Sequence, residues 1–282
     1  MSVSAAEIPP ILRYKSYGAS SAFTPENLLR QGRRQKRLPD IAVPEICILD
    51  PDGDIVRNLR ATERANRHDA WACYHTELYV FRHDGHDYGI VGCAVGAAFA
   101  VLIAEELFAS GCRLLVSITS AGQIAPLQAP PYFVVIDRAL RDEGTSYHYL
   151  PASEYSEADA DLTELARAAL SAAGISVRVG ASWTTDAPFR ETDEAIAAAL
   201  HAGILAVEME AAALYAFARA RSRSVVCFAH VTNQLGRIDE DFEKGIAEGA
   251  EESLRVISQT ADRWREANTS RNIPNARVRD VR

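Results

Sequence analysis

The sequence predicts a single-domain α/β sandwich, and three observations carry the prediction. Apolar runs of strand length alternate with helix-length segments from residue 41 to residue 267. Glycines stand just past three of the helical runs, at positions 111, 174 and 203, where a left-handed residue ends a helix at no steric cost. The chain has 282 residues, 48% hydrophobic and 24% charged, which is ordinary globular usage with ample core for one large domain. Residues 1–40 are polar and Pro/Gly-punctuated, an N-terminal arm with a short helix over Pro25–Arg37, and residues 268–282 read as a polar, frayed tail.

Glu45–Leu49 is the first core strand, ended by the turn Asp50-Pro51-Asp52-Gly53-Asp54, whose residue types supply a fixed φ, side-chain-to-backbone bonds and a tolerated positive φ. His75–Phe81 is a second apolar run that closes at the hairpin-like Arg82-His83-Asp84-Gly85. Tyr88–Ala94, Ala97–Phe108 and Arg113–Ile118 read as strand, helix and strand, a βαβ unit with a right-handed parallel crossover. Its glycines at 89, 92 and 96 miss the GxGxxG spacing, so no dinucleotide site is indicated. Pro131–Asp137 is a strand, followed by a polar segment through Ser153, helix Asp159–Ala172 and strand Ile175–Trp183. Helix Asp193–His201, strand Ile204–Val207, helix Met209–Arg221, strand Val225–Val231 and a last helix over Phe242–Glu266 complete the pattern.

Thirty Lys plus Arg against 38 Asp plus Glu leave a net charge of −8, which argues against binding nucleic acid through its backbone charge. The one basic stretch, Arg30 to Arg37, reads as a solvated helix end. No run of about 18 apolar residues exists to span a membrane, and MSVSAAEIPP lacks the basic start and apolar core of a signal peptide. Five cysteines without CxxC spacing read as reduced packing residues, and no His/Cys cluster has metal-ligand spacing. A cytoplasmic protein without a metal is the expectation.

Ligands of open α/β sheets collect beyond the carboxyl ends of the strands, and four polar segments fall there. Thr119-Ser120-Ala121-Gly122 follows the strand Arg113–Ile118 and can cradle an anion or a sugar oxygen, or simply end the strand. In Trp183–Thr192, Phe189 can stack on a heterocycle and Arg190 can donate to base carbonyls, while Thr192 or Asp193 caps the next helix. Glu208-Met209-Glu210 sets two carboxylates between an apolar strand and an Ala-rich helix. Burial there calls for partners, and vicinal ribose hydroxyls would serve. In His230-Val231-Thr232-Asn233-Gln234, the two amides offer the donor–acceptor pairs that read a base edge, or else satisfy the loop itself. His75 and His230 lie at strand ends as structural or titrating groups.

Taken in order, the segments Ser120–Gly122, Arg141–His148, Thr184–Thr192 and Ala206–Ala213 resemble those of the nucleoside phosphorylase superfamily, which holds uridine phosphorylases, hexameric purine nucleoside phosphorylases and methylthioadenosine phosphorylases or nucleosidases. The likeness is strongest from about residue 88 to 235, and Val207-Glu208-Met209-Glu210 is its most specific part. The resemblance implies a mixed central sheet with a small barrel-like core and a homodimer or homohexamer. It implies attack of inorganic phosphate, as co-substrate without a cofactor, on a nucleoside to give free base and ribose 1-phosphate. By matching positions, Met209 and Glu210 would hold the ribose, Glu210 bridging its 2′- and 3′-hydroxyls, and the neighbouring carboxylate of Glu208 is a further ribose candidate. Phe189, Arg190, Asn233 and Gln234 would face the base, Glu210, Asn233 and Arg190 would be catalytic, and Thr119, Ser120 and Arg57 would take phosphate.

Three departures concern phosphate. Ser117 and Thr76 stand where such enzymes often carry arginines, and Asp50-Pro51-Asp52-Gly53-Asp54 replaces the usual Gly-Asp-Pro turn. A phosphate dianion prefers several guanidinium donors, so water is the alternative nucleophile, and a catalytically inactive nucleoside binder is a third possibility. Asn233 stands near the place of a protonating Asp in the hexameric purine enzymes, which favours a uridine-type substrate.

Overall fold

The computed structural model describes residues 8–235 and 241–271. In chain order the elements are α1 (Pro25–Lys36), β1 (Ile46–Asp50), α2 (Asp54–Ala61), β2 (Ala65–Arg67), β3 (Tyr79–His83), β4 (His86–Gly92), α3 (Ala97–Ala109) and β5 (Leu114–Gln123). There follow β6 (Tyr132–Asp142), β7 (Tyr155–Glu157), α4 (Ala160–Ala172), β8 (Val177–Thr185), α5 (Asp193–His201), β9 (Ala206–Glu208), α6 (Ala211–Arg221), β10 (Ser224–Asn233) and α7 (Ala250–Arg271).

The sheet is mixed. β1 pairs in parallel with β4 and β5, and antiparallel β3 and β2 extend that edge. On its other side β5 pairs with both β10 and β9, and β10–β6–β8–β9 closes a five-strand ring back onto β5. This ring is the barrel-like core that the resemblance implies. Strand β1 is buried along its whole length, as expected of a parallel strand covered on both faces. One apolar cluster joins α3 and α6 to one face; a second joins α2, α4 and α7 to the other.

Several expectations are corrected. Residues 54–61 form a helix where a turn alone was expected; Ile55, Val56 and Leu59 make its buried stripe, too short to show a period. The strand expected to stop at Ile118 runs on to Gln123, so Thr119–Gly122 is strand and not a following loop. The last helix begins at Ala250 rather than Phe242, because Ala247, Glu248 and Gly249 all have left-handed φ and break the chain before it. It also continues to Arg271, into the segment read as tail, whose remainder lies outside the described residues. Among the described residues no helix is long and apolar enough to cross a membrane.

A bulge between Ile136 and Arg138 frees a carbonyl inside the ring. The buried Tyr215 hydroxyl of α6 donates to that Ile136 oxygen at 2.6 Å and accepts from the Cys227 N–H at 3.1 Å. Tyr215→Phe leaves both backbone groups without a partner, so urea unfolding is expected to show a loss of about 3 kcal/mol.

Candidate active site

The site is built at the junction of β9 and α6. Glu208 ends β9 with a carboxylate wholly engaged by the chain: Oε1 accepts from the Ser182 and Thr184 hydroxyls of β8, and Oε2 accepts from the Glu210 and Ala211 N–H groups, each at 2.7 Å. Thr184 Oγ1 in turn accepts from the Ala212 N–H at 2.9 Å. Glu208 is thus an internal cap for α6, and no lone pair is left over for the sugar contact expected of it. Glu210, 1% exposed, differs. Its Oε1 accepts from the Gly96 N–H at 2.7 Å, and Oε2 is buried without a partner. The Thr119 hydroxyl also reaches this carboxyl. Burial, then the charge of Glu208, pushes the Glu210 pKa up to about 8. Met209 lies half-buried between the two acids. Gly96 aims its N–H from a backbone with φ of 92°, while a side chain there would meet open space, so conformation alone calls for glycine.

Beside this lies the Asp50–Asp54 turn. Asp50 is buried and accepts from the Gly53 and Val56 N–H groups, ordering the entry to α2. Burial pushes its pKa up to about 7 against the pull of the Val56 N–H, with Asp52 and Asp54 adding to the rise. Asp52 Oδ2 accepts from the Ser120 N–H at 2.6 Å. Asp54 is paired with both Arg57 and Lys244, and Lys244 Nζ lies 4.0 Å from Asp52 Oδ1. These acids, with Thr119, Ser120 and His230, line a cavity of about 10 Å³. His230 is 5% exposed and stacks on Phe133 with ring centroids 4.4 Å apart. Its Nε2 has no partner, and burial together with the Lys244 charge lowers its pKa to about 4.

The base-side residues are less concentrated than expected. Phe189 is 99% exposed and Arg190 also faces solvent, in a one-turn 3₁₀ segment before α5. Asn233 is turned inward: Oδ1 accepts from the Leu235 N–H at 2.9 Å, and Nδ2 donates to Thr232 Oγ1 at 3.2 Å. Gln234 is half-buried, its N–H donating to the Asp241 carboxylate. Arg57 is largely exposed and held by Asp54, and among the described residues no arginine hydrogen-bonds Thr119 or Ser120. The structure therefore brings together Glu210, Met209, Thr119 and Ser120, and leaves Arg57, Phe189 and Arg190 apart from them. Gly96, Asp52 and Lys244 join this group unannounced. For Asp52 the sequence carried a signal, a third acid in a five-residue turn; for Lys244 it carried none.

Because the folded Glu210 carboxyl titrates near 8 and an unperturbed one near 4.5, the stability tied to its proton is whole below about 4.5 and is lost as pH rises through about 8. The uncharged Glu210→Gln variant is expected to melt several degrees above the unmodified protein beyond about pH 8 and level with it near pH 5, by calorimetry across that range.

A family profile described as the phosphorylase superfamily matches residues 45–262. A guanosine phosphorylase of Halorubrum lacusprofundi is 29% identical over 182 residues, 62% of this chain and 75% of that protein. A DeoD-type purine nucleoside phosphorylase of Streptococcus uberis is 25% identical over 165 residues, 58% of this chain and 70% of that protein. Among solved structures, a 5′-methylthioadenosine/S-adenosyl homocysteine nucleosidase of Campylobacter jejuni matches in fold with a TM-score of 0.63, covering 78% of this chain and 99% of that one at 18% identity.

Proposed function

The chain belongs to the phosphorylase superfamily, and on that premise we propose that it cleaves the N-glycosidic bond of a nucleoside, with the pentose held by Glu210. One observation carries this: a buried carboxylate with one oxygen fixed by the Gly96 N–H and the other without a partner. Leaving such an oxygen unpaired costs free energy, and a vicinal diol supplies the missing donors. Binding those hydroxyls favours the carboxylate form and so counters the effect of burial. Glu210 and Met209 fix the ring, and the attacking group enters from the Thr119–Ser120 side. The oxocarbenium-like character of the transition state gains from the carboxylates clustered around it. This displacement changes no oxidation state and calls for no cofactor.

The base favoured is a purine. The uridine-type expectation leaned on Asn233, whose amide is engaged within its own turn, and the named relatives act on guanosine and purine nucleosides. The base side would be completed at Phe189 and Arg190, which a homodimer or homohexamer would cover with a neighbouring subunit. A cytoplasmic setting suits this substrate.

Base release from guanosine, inosine, adenosine, uridine and thymidine, followed by chromatography, tests the proposal. Glu210→Ala is expected to lower kcat/KM roughly 100-fold, as for loss of a charged hydrogen-bonding group worth about 3 kcal/mol. Full activity in that variant, or no release of any base by the unmodified chain, would overturn it.

A further inference from the structure

We propose that Asp52 is an internal anion seated where a phosphate would bind, and that it makes water the attacking group, so that the chain is a nucleoside hydrolase. The inference rests on Glu210 holding the pentose. The Ser120 N–H, a backbone donor on the Thr119–Ser120 side, is already taken by Asp52 Oδ2 at 2.6 Å. The cavity against it, about 10 Å³, has room for roughly one water and none for a tetrahedral dianion.

The charge in the cavity has the wrong sign for phosphate. Asp50, Asp52 and Asp54 line it; among the described residues the Lys244 ammonium is paired with Asp54 and lies 4.0 Å from Asp52, and Arg57 is paired with Asp54. Ser117 is buried in the middle of β5 with no partner for its hydroxyl. His230 independently points to a small polar ligand: it lines the same cavity, is 5% exposed, and its Nε2 lacks a partner that one water could provide.

The step balances with water alone. The water oxygen bonds to the anomeric carbon as the carbon–nitrogen bond breaks, and that electron pair leaves with the base nitrogen. One water proton passes to the Asp52 carboxylate and returns through solvent to the departing base. The products are free pentose and free base.

The experiment follows base release from guanosine and inosine after phosphate is stripped from the protein, with and without added inorganic phosphate, and identifies the sugar by chromatography. The expected result is a rate unchanged by phosphate and a free pentose product. In parallel, Asp52→Asn keeps an acceptor for the Ser120 N–H but cannot take the proton. It is expected to cut base release about 100-fold while calorimetry shows guanosine bound within a few-fold of the unmodified affinity. Release that requires phosphate and yields pentose 1-phosphate would overturn the inference and leave the Glu210 reading standing. An Asp52→Asn variant of undiminished rate would remove Asp52 from the reaction. No release from these two nucleosides or from adenosine, uridine and thymidine, with or without phosphate, would overturn the inference together with the reading beneath it.

Discussion

The placement of the acid that is left half-satisfied in this site, Glu210, traces to one buried carboxylate that is not itself free to bind anything. Glu208 takes two hydroxyl donors from β8 and the two backbone donors at the start of α6. A charge so deep is tolerable only because four donors meet it, and removing any of them would leave part of a carboxylate unsolvated. Through those bonds β8, β9 and α6 are tied at one point, and the next acid along the chain has a single place to go. Glu210 inherits its position from Glu208. Burial, with the repulsion of Glu208 added to it, then keeps Glu210 poised between its protonated and ionised forms.

Function in this architecture follows from unequal solvation of similar groups. Five acids lie near one another, and each meets a different environment. Glu208 is saturated with donors, Glu210 is half-satisfied, and Asp50 is spent on the entry to α2. Asp52 rests on a backbone N–H, and Asp54 is neutralised by two cations. Composition alone records only a modest excess of acids. Their chemistry is set by which hydrogen bonds the sheet and helix ends happen to deliver.

Legibility in the sequence tracked how local each feature is. The Ala-rich run after Glu210, the glycine stops and the apolar strands are short-range signals, and the corresponding elements formed close to where periodicity placed them. Glu210 was readable because buried acids beside apolar runs stand out. Glu208 carried the same signal, yet its role is the opposite, since its partners Ser182 and Thr184 come from another strand. Asn233 left two roles open for a similar reason: an amide at a strand end looks free until the turn that engages it is known. Lys244 reaches Asp54 across 190 positions of sequence, a relation that no spacing rule contains.

The closed ring of β5, β10, β6, β8 and β9 also dictates when in the life of the chain the site can exist. Strand β10 sits between β5 and β6, yet it emerges from synthesis some hundred residues after β5. Until it arrives, two long apolar strands present bare edges to their surroundings, the situation in which unfinished chains associate with one another. A nascent chain halted before Ser224 would hold both acids of the β9–α6 junction and still lack the strand whose His230 lines the cavity beside Asp52. The ring that leaves the finished barrel without open edges makes the unfinished one the most vulnerable stage of its assembly.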